Sequence, residues 1–202
     1  MGMHKTKRKL IDTVIELMNG NPSADVTIHQ VLEASNITSG SLYYHFSDFE
    51  DLIDHALVDM YGQFAEDVST RLRLALGVSD SAAEMNANLS PTIDARHMPN
   101  LAAMRSARTW IAAQATLRPS LGAKLAPEQQ RVTQEIADIV AEAQEKGIAQ
   151  KVLDPYVVAV FIQSYALGRI VDDLAGGQMD GESWTKFIKH MVSTSLLDIK
   201  KQ

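Results

Sequence analysis

Three groupings of side chains in this 202-residue chain could act on a partner molecule. The first is Thr38-Ser39-Gly40-Ser41-Leu42-Tyr43-Tyr44-His45, preceded by Thr27 and, near the start of the chain, by Lys5, Lys7, Arg8 and Lys9. Hydroxyls, phenols and helix N-termini hydrogen-bond phosphate oxygens and base edges, and clustered Lys and Arg neutralise phosphates. The second is Asp51, His55 and Asp59, spaced to place three ligand-type side chains on one side of a helix. No further His or Cys cluster completes a metal site, so a solvated face is the reading, and no metal is expected. The third is His97 with Arg96, Arg105 and Arg108, which could meet an anion, although cations on outward faces produce the same pattern. Asp172-Asp173 after Arg169 needs nothing beyond a helix-end ion pair. A nucleophile elbow, a phosphate loop and a dinucleotide fingerprint are all missing, so neither an enzyme nor a cofactor is expected. With no cysteine there is no disulfide, thiol nucleophile or Cys-based zinc site.

The first grouping depends on elements that can present it. Leu10, Ile11, Val14, Leu17 and Met18 recur at helical spacing and predict a helix from about Lys5 to Met18, stopped by Asn19-Gly20-Asn21-Pro22. Thr27 and Gln30 form a capping box at the start of a second helix, with Ile28, Val31 and Leu32 on one face. Ser35-Asn36 end it, Ile37 plugs the turn, and Thr38 or Ser39 caps a third helix running to about His45. Two short helices around such a turn form a helix-turn-helix, whose second helix enters a DNA major groove. Ser47 to Glu50 reads as another capping box, opening a long helix to about Leu76 that is the only evident mechanical link to the remainder.

Beyond it the pattern predicts a short helix over 81–89 broken by Pro91, a helix over 101–117, one from Pro127 to Gly147, one from Pro155 to about Leu174, and a last one over 183–199. Alternating β patterning is absent, so the fold class is all-α, with about nine helices. Met60, Phe64, Met104, Arg108, Trp110, Gln114 and Gln163 could line an apolar cavity with a few polar groups, or serve simply as core. The last two helices carry broad apolar surface, including Phe161, Tyr165, Trp184, Ile188 and Met191, which suggests a helix-on-helix homodimer.

A net charge of −6 argues against indiscriminate nucleic-acid binding, so any DNA contact must come from a local patch. The apolar run Tyr156–Leu167 is too short to span a bilayer and contains Gln163 and Ser164, so no membrane partner is expected.

The run Thr38 to Phe46, with Thr27 before it and Leu52 after it, resembles the DNA-binding signature of TetR-family transcriptional regulators. The resemblance spans residues 7–55; the rest agrees only in architecture. It implies a DNA-binding domain at 1–46, a ligand-binding and dimerisation domain at 47–202, and a four-helix bundle made by the last two helices with a second subunit. It also implies a repressor that leaves a palindromic double-stranded DNA operator when a small-molecule effector binds, and the lack of cysteine fits an expected cytoplasmic location. Carried over by position, Thr38, Ser39, Gly40 and Ser41 begin the recognition helix, while Ser41, Tyr43, Tyr44 and His45 face DNA. Thr27 would touch a phosphate, and Lys7 and Arg8 belong to a basic arm beside it. The chain departs from the family in having Phe49 where a Lys is usual. The same fold without an effector, as a constitutive DNA-binding or protein-interaction module, is the alternative.

Overall fold

The computed structural model describes residues 5–94, 101–177 and 179–199, and all the regular elements among them are helical. In chain order they are α1 (Lys5–Met18), α2 (Ile28–Ser35), α3 (Ser39–His45), α4 (Phe49–Gly77), α5 (Ala82–Asp94), α6 (Leu101–Leu117), α7 (Pro119–Glu145), α8 (Pro155–Gly168), α9 (Ile170–Leu174) and α10 (Gly181–Met191), followed by a π-helical turn (Val192–Leu196). An isolated antiparallel bridge joins Ala149 to Leu197.

The local chemistry explains most boundaries. The Thr27 hydroxyl accepts from the Gln30 N–H while Gln30 Oε1 accepts the Thr27 N–H at 2.8 Å, completing the capping box. Asn36 ends α2 in the left-handed conformation, φ 51°, which a short amide side chain tolerates better than most. Ile37 then packs against the core, and Thr38 caps α3 by accepting the Ser41 N–H.

Five boundaries differ from the pattern reading. The second capping box is shifted by one residue: Asp48, not Ser47, caps α4 by accepting the Asp51 N–H at 2.7 Å, and Asp51 reaches back to the Ser47 N–H at 3.0 Å. Carboxylates serve both ends better than a hydroxyl, because they also favour the positive helix N-terminus. Helix α5 runs through Pro91, and α7, which starts at Pro119 as a proline suited to a first helical turn allows, carries Pro127 inside it instead of beginning there. Each proline removes one helical hydrogen bond, a local cost that surrounding structure can offset. Helix α8 stops at Gly168, the residue with the weakest hold on helix there, and α9 restarts after Arg169. The last helix ends at Met191 and gives way to the π turn.

The described residues pack into two compact units, 1–64 with 106–129, and 65–105 with 130–202. The first therefore extends well past residue 46. Its core contains Leu10, Ile11 and Val14 of α1, Val31 of α2, Leu42 of α3 and Phe46, and also Leu52, Leu57 and Met60 of α4, Ile111 of α6, and Leu121 and Leu125 of α7. Three short helices cannot bury both faces of their apolar stripes alone, and these later helices complete the enclosure. Gly122 sits where a Cβ would come within 2.7 Å of the Ala115 carbonyl oxygen, so the α6–α7 turn requires it. In the second unit, Leu76, Met85, Leu89, Ile139, Ala143, Ile148 and Leu197 form one apolar cluster, and Val132, Ile136, Ala137 and Ala159 another. Helices α4, α6 and α7 each contribute residues to both units, so α4 is not the sole connection the sequence suggested.

Candidate nucleic-acid interface and apolar cavity

Helix α3 has two distinct faces. Leu42 and Phe46 are buried in the first core. Ser39, Gly40, Tyr43 and Tyr44 are exposed on the opposite side, Tyr43 at 54% and Tyr44 at 83%, while Ser41 and His45 lie half-buried at the edges. Thr27 and Thr38, both helix caps, are exposed as well. A Cβ on Gly40 would meet nothing within 4 Å, so packing within the chain gives no reason for a glycine there. The exposed face thus offers two phenols, short hydroxyls and a bare backbone stretch at a helix N-terminus, a set suited to phosphate oxygens and base edges.

The two basic residues picked out in the arm are already engaged. Arg8 Nε donates to Asp12 at 2.7 Å and Nη1 donates to Asp59 at 2.5 Å; the Asp12 bond does most to hold this guanidinium above its ordinary pKa. Lys7 Nζ lies 3.3 Å from His55 Nε2 and 5.1 Å from the centre of the Phe46 ring. Burial, followed by the nearby Lys7 charge, pushes the His55 imidazole below its ordinary value, favouring the neutral ring that can accept from Lys7. Lys5 and Lys9 are the exposed cations of α1. Spacing on a helix could not reveal this division, because Asp59 reaches Arg8 from a distant part of the chain.

A polar cluster at the base of α4 was not legible in the sequence. Asp54 is 1% exposed and accepts from Arg118 and, at 3.1 Å, from Lys124. Lys124 also lies 3.0 Å from Asp51, and Arg118 lies 3.7 Å from Glu50. Burial raises the Asp51 carboxyl, but the Ser47 N–H and Lys124 outweigh it and hold it below its ordinary value. The grouping Asp51, His55 and Asp59 therefore serves ion pairs and hydrogen bonds, and no group fit to hold a metal is found among the described residues. Phe49, at the start of α4, is half-buried against the first core.

The second unit contains a cavity of about 110 Å³. Its walls come from α4 (Val68, Leu72), α5 (Met85, Leu89), α7 (Ile139, Ala143, Gln144), the segment Ala149–Leu153, α8 (Phe161, Tyr165), α10 (Ile188, Met191) and the π turn. None of the described side chains expected at a ligand site is among its lining residues. Met60 and Trp110 belong to the first core. Arg108 is buried over the Tyr61 ring, 4.6 Å from its centre, and donates to the Tyr61 hydroxyl and Gln129 at 3.4 Å. Gln114 and Met104 are half-buried and line no part of this cavity. Gln163 donates to Thr133 Oγ1 at 3.1 Å and the Ala159 carbonyl at 3.2 Å. The side chain of Phe64, like Arg96 and His97, lies outside the described residues. Arg105 pairs with Asp173 through two hydrogen bonds, at 2.7 and 2.8 Å. Of the side chains expected between subunits, Phe161, Tyr165, Ile188 and Met191 line the cavity, and Trp184 is half-buried with Arg169 6.0 Å from its ring centre.

No family model matches the sequence, and no curated protein does. Solved structures do match. A TetR-family transcriptional regulator from Mesorhizobium loti superposes with a TM-score of 0.70 at 15% identity, over 93% of each chain. Another from Rhodococcus sp. gives 0.65 at 21% identity, covering 94% of this chain and 97% of the other. The chain has the TetR-type regulator fold. A transcriptional regulator from Saccharomonospora viridis in complex with choline gives 0.63 at 17% identity, over 96% of this chain and 98% of that one. In the TetR-type fold, α2 and α3 are the helix-turn-helix that the Thr38–Phe46 run suggested.

Proposed function

We propose that the chain is a sequence-specific DNA-binding transcriptional regulator, acting as a homodimeric repressor of the cytoplasm that a small-molecule effector releases from a palindromic operator. The exposed face of α3 carries this reading: Tyr43 and Tyr44 stand out on a capped helix whose other face is locked by Leu42 and Phe46. In a major groove, Thr38, Ser39, Ser41, Tyr43 and Tyr44 would meet phosphates and base edges, Gly40 would let the backbone approach, and His45 would lie at the margin. Thr27 would touch a neighbouring phosphate through its exposed N-terminal turn. Arg8, paired with Asp12 and Asp59, would supply little free charge, leaving phosphate neutralisation to Lys5, Lys9 and Lys7, whose charge the neutral His55 ring does not cancel. No Arg, Gln or Asn in 38–46 offers strong bidentate base readout, so affinity would depend on two copies.

Dimerisation is supported by Val157, Val160 and Phe161 on α8 and Phe187 on α10, which are 41–65% exposed. Large side chains at that exposure on neighbouring helices suit a two-fold helix bundle. Effector control is supported by the cavity in the second unit, and the choline complex of the Saccharomonospora viridis protein is consistent with small-molecule capture in this fold. Helices α4, α6 and α7 would carry the coupling, provided the effector binds the two conformations unequally. Selection of bound fragments from genomic DNA by the purified chain should enrich a palindrome, and Tyr43→Ala should abolish the enrichment. Recovery of no common sequence would sink the reading.

A further inference from the structure

The cavity of the second unit restricts the chemistry of what can occupy it. No Asp, Glu, Lys or Arg is among its described lining residues. A charged group entering it would lose hydration with no ion to pair with, and would neutralise or stay out. The polar atoms on the wall are few and of defined type. Gln144 Nε2 donates to the carbonyls of Gln150 at 2.9 Å and Leu153 at 2.7 Å, which leaves its Oε1 as an acceptor. Gln150 Nε2 likewise donates to the carbonyls of Thr194 and Leu197. Tyr165 lines the same wall; burial pushes its phenol above the ordinary value, so it remains a neutral O–H that can donate or accept. The two amide oxygens repel a carboxylate, and together with the one neutral hydroxyl they suit an alcohol. Around them the wall is aliphatic and aromatic, including Leu89, Ile139 and Phe161.

We infer that the cavity binds an uncharged lipophilic molecule carrying a hydroxyl or carbonyl group, with Tyr165 as its hydrogen-bond partner. This deepens the effector reading above and rests on it for its regulatory meaning, though binding itself is measurable without DNA. The full chain is titrated at pH 8 with 1-octanol, octanoate and octylammonium, following calorimetric heat and the shift in melting temperature. The dissociation constant for 1-octanol should be at least tenfold below that of either charged probe. Ala143→Met, which fills the cavity, should abolish 1-octanol binding. Tyr165→Phe keeps the ring and removes one hydroxyl; it should weaken 1-octanol binding about fivefold while the unliganded melting curve stays in place. Binding of octanoate or octylammonium as tight as 1-octanol overturns the inference. So does 1-octanol binding that neither variant disturbs, or no binding of any probe. A chain that binds 1-octanol but enriches no palindrome would keep this inference and lose the regulator reading; the reverse result would separate them the other way.

Discussion

The two units handle their interiors in opposite ways. In the first, Leu10, Ile11, Val14, Leu42 and Leu57 are wholly buried and Asp54 is sealed between two cations. In the second, a comparable set of aliphatic side chains surrounds a cavity of about 110 Å³. A close-packed interior resists deformation, whereas an unfilled apolar space forgoes dispersion contacts and leaves its lining able to adjust. The contrast fits the proposed division of work: α3 must hold its exposed face in one geometry, while the second unit must change when something enters it.

Substitutions should expose that contrast most strongly at the cores. Leu42→Ala is expected to destabilise by about 2–5 kcal/mol in denaturant unfolding, the usual range for a fully buried leucine. Leu153→Ala, on the cavity wall and half-buried, should cost about 1 kcal/mol, since part of its surroundings is already empty. Equal costs would break the comparison. Next is Asp54→Ala. It leaves Arg118 and Lys124 facing a buried gap, but both are about a quarter exposed and can rehydrate, so a loss of about 2 kcal/mol is expected rather than the larger figure for a wholly buried pair.

A smaller effect should appear with pH. The folded-state pKa of His55 lies below its ordinary value of 6.5, so below that pH the unfolded chain binds more protons than the folded one. Its contribution is therefore complete above 6.5 and declines as the pH falls from there towards the folded value. The urea midpoint should drop between pH 7.5 and 5.5, and His55→Asn should reduce that drop. Asp51, also held below its ordinary 3.8, would add its loss only at lower pH. The smallest change is Phe49→Lys. An added phosphate contact should steepen the salt dependence of DNA binding by about 0.9 in the log–log slope. The same substitution removes a side chain packed against the first core, so a modest loss of stability should accompany it. An unchanged slope would show that this position does not approach phosphate.

The first 46 residues were readable because their signals are local. A capping box needs only Thr27 and Gln30, and the turn needs only Asn36 and Ile37. Just beyond them, at the start of α4, one cap slid from Ser47 to Asp48, because several neighbouring residues could accept the same N–H and their competition is settled by backbone geometry. The residues that line the cavity were not readable. Met60, Trp110 and Arg108 have the spacing of inward-facing residues, but the inward direction on α4 and α6 leads to the first core at one end and the second unit at the other. Periodicity reports that a side chain is buried and is silent on which interior receives it.

By itself, then, the sequence determined the all-α class, the helix-turn-helix and the identity of its exposed run, since these depend on interactions within a few residues. Only the tertiary structure decided that Arg8 is held by Asp59, that Asp54 is sealed by Arg118 and Lys124, and that the cavity is walled by Tyr165 and Gln144 instead of Arg108 and Gln114. Each of those depends on residues far apart in the chain, whose meeting is set by how whole helices pack and by where that packing leaves space.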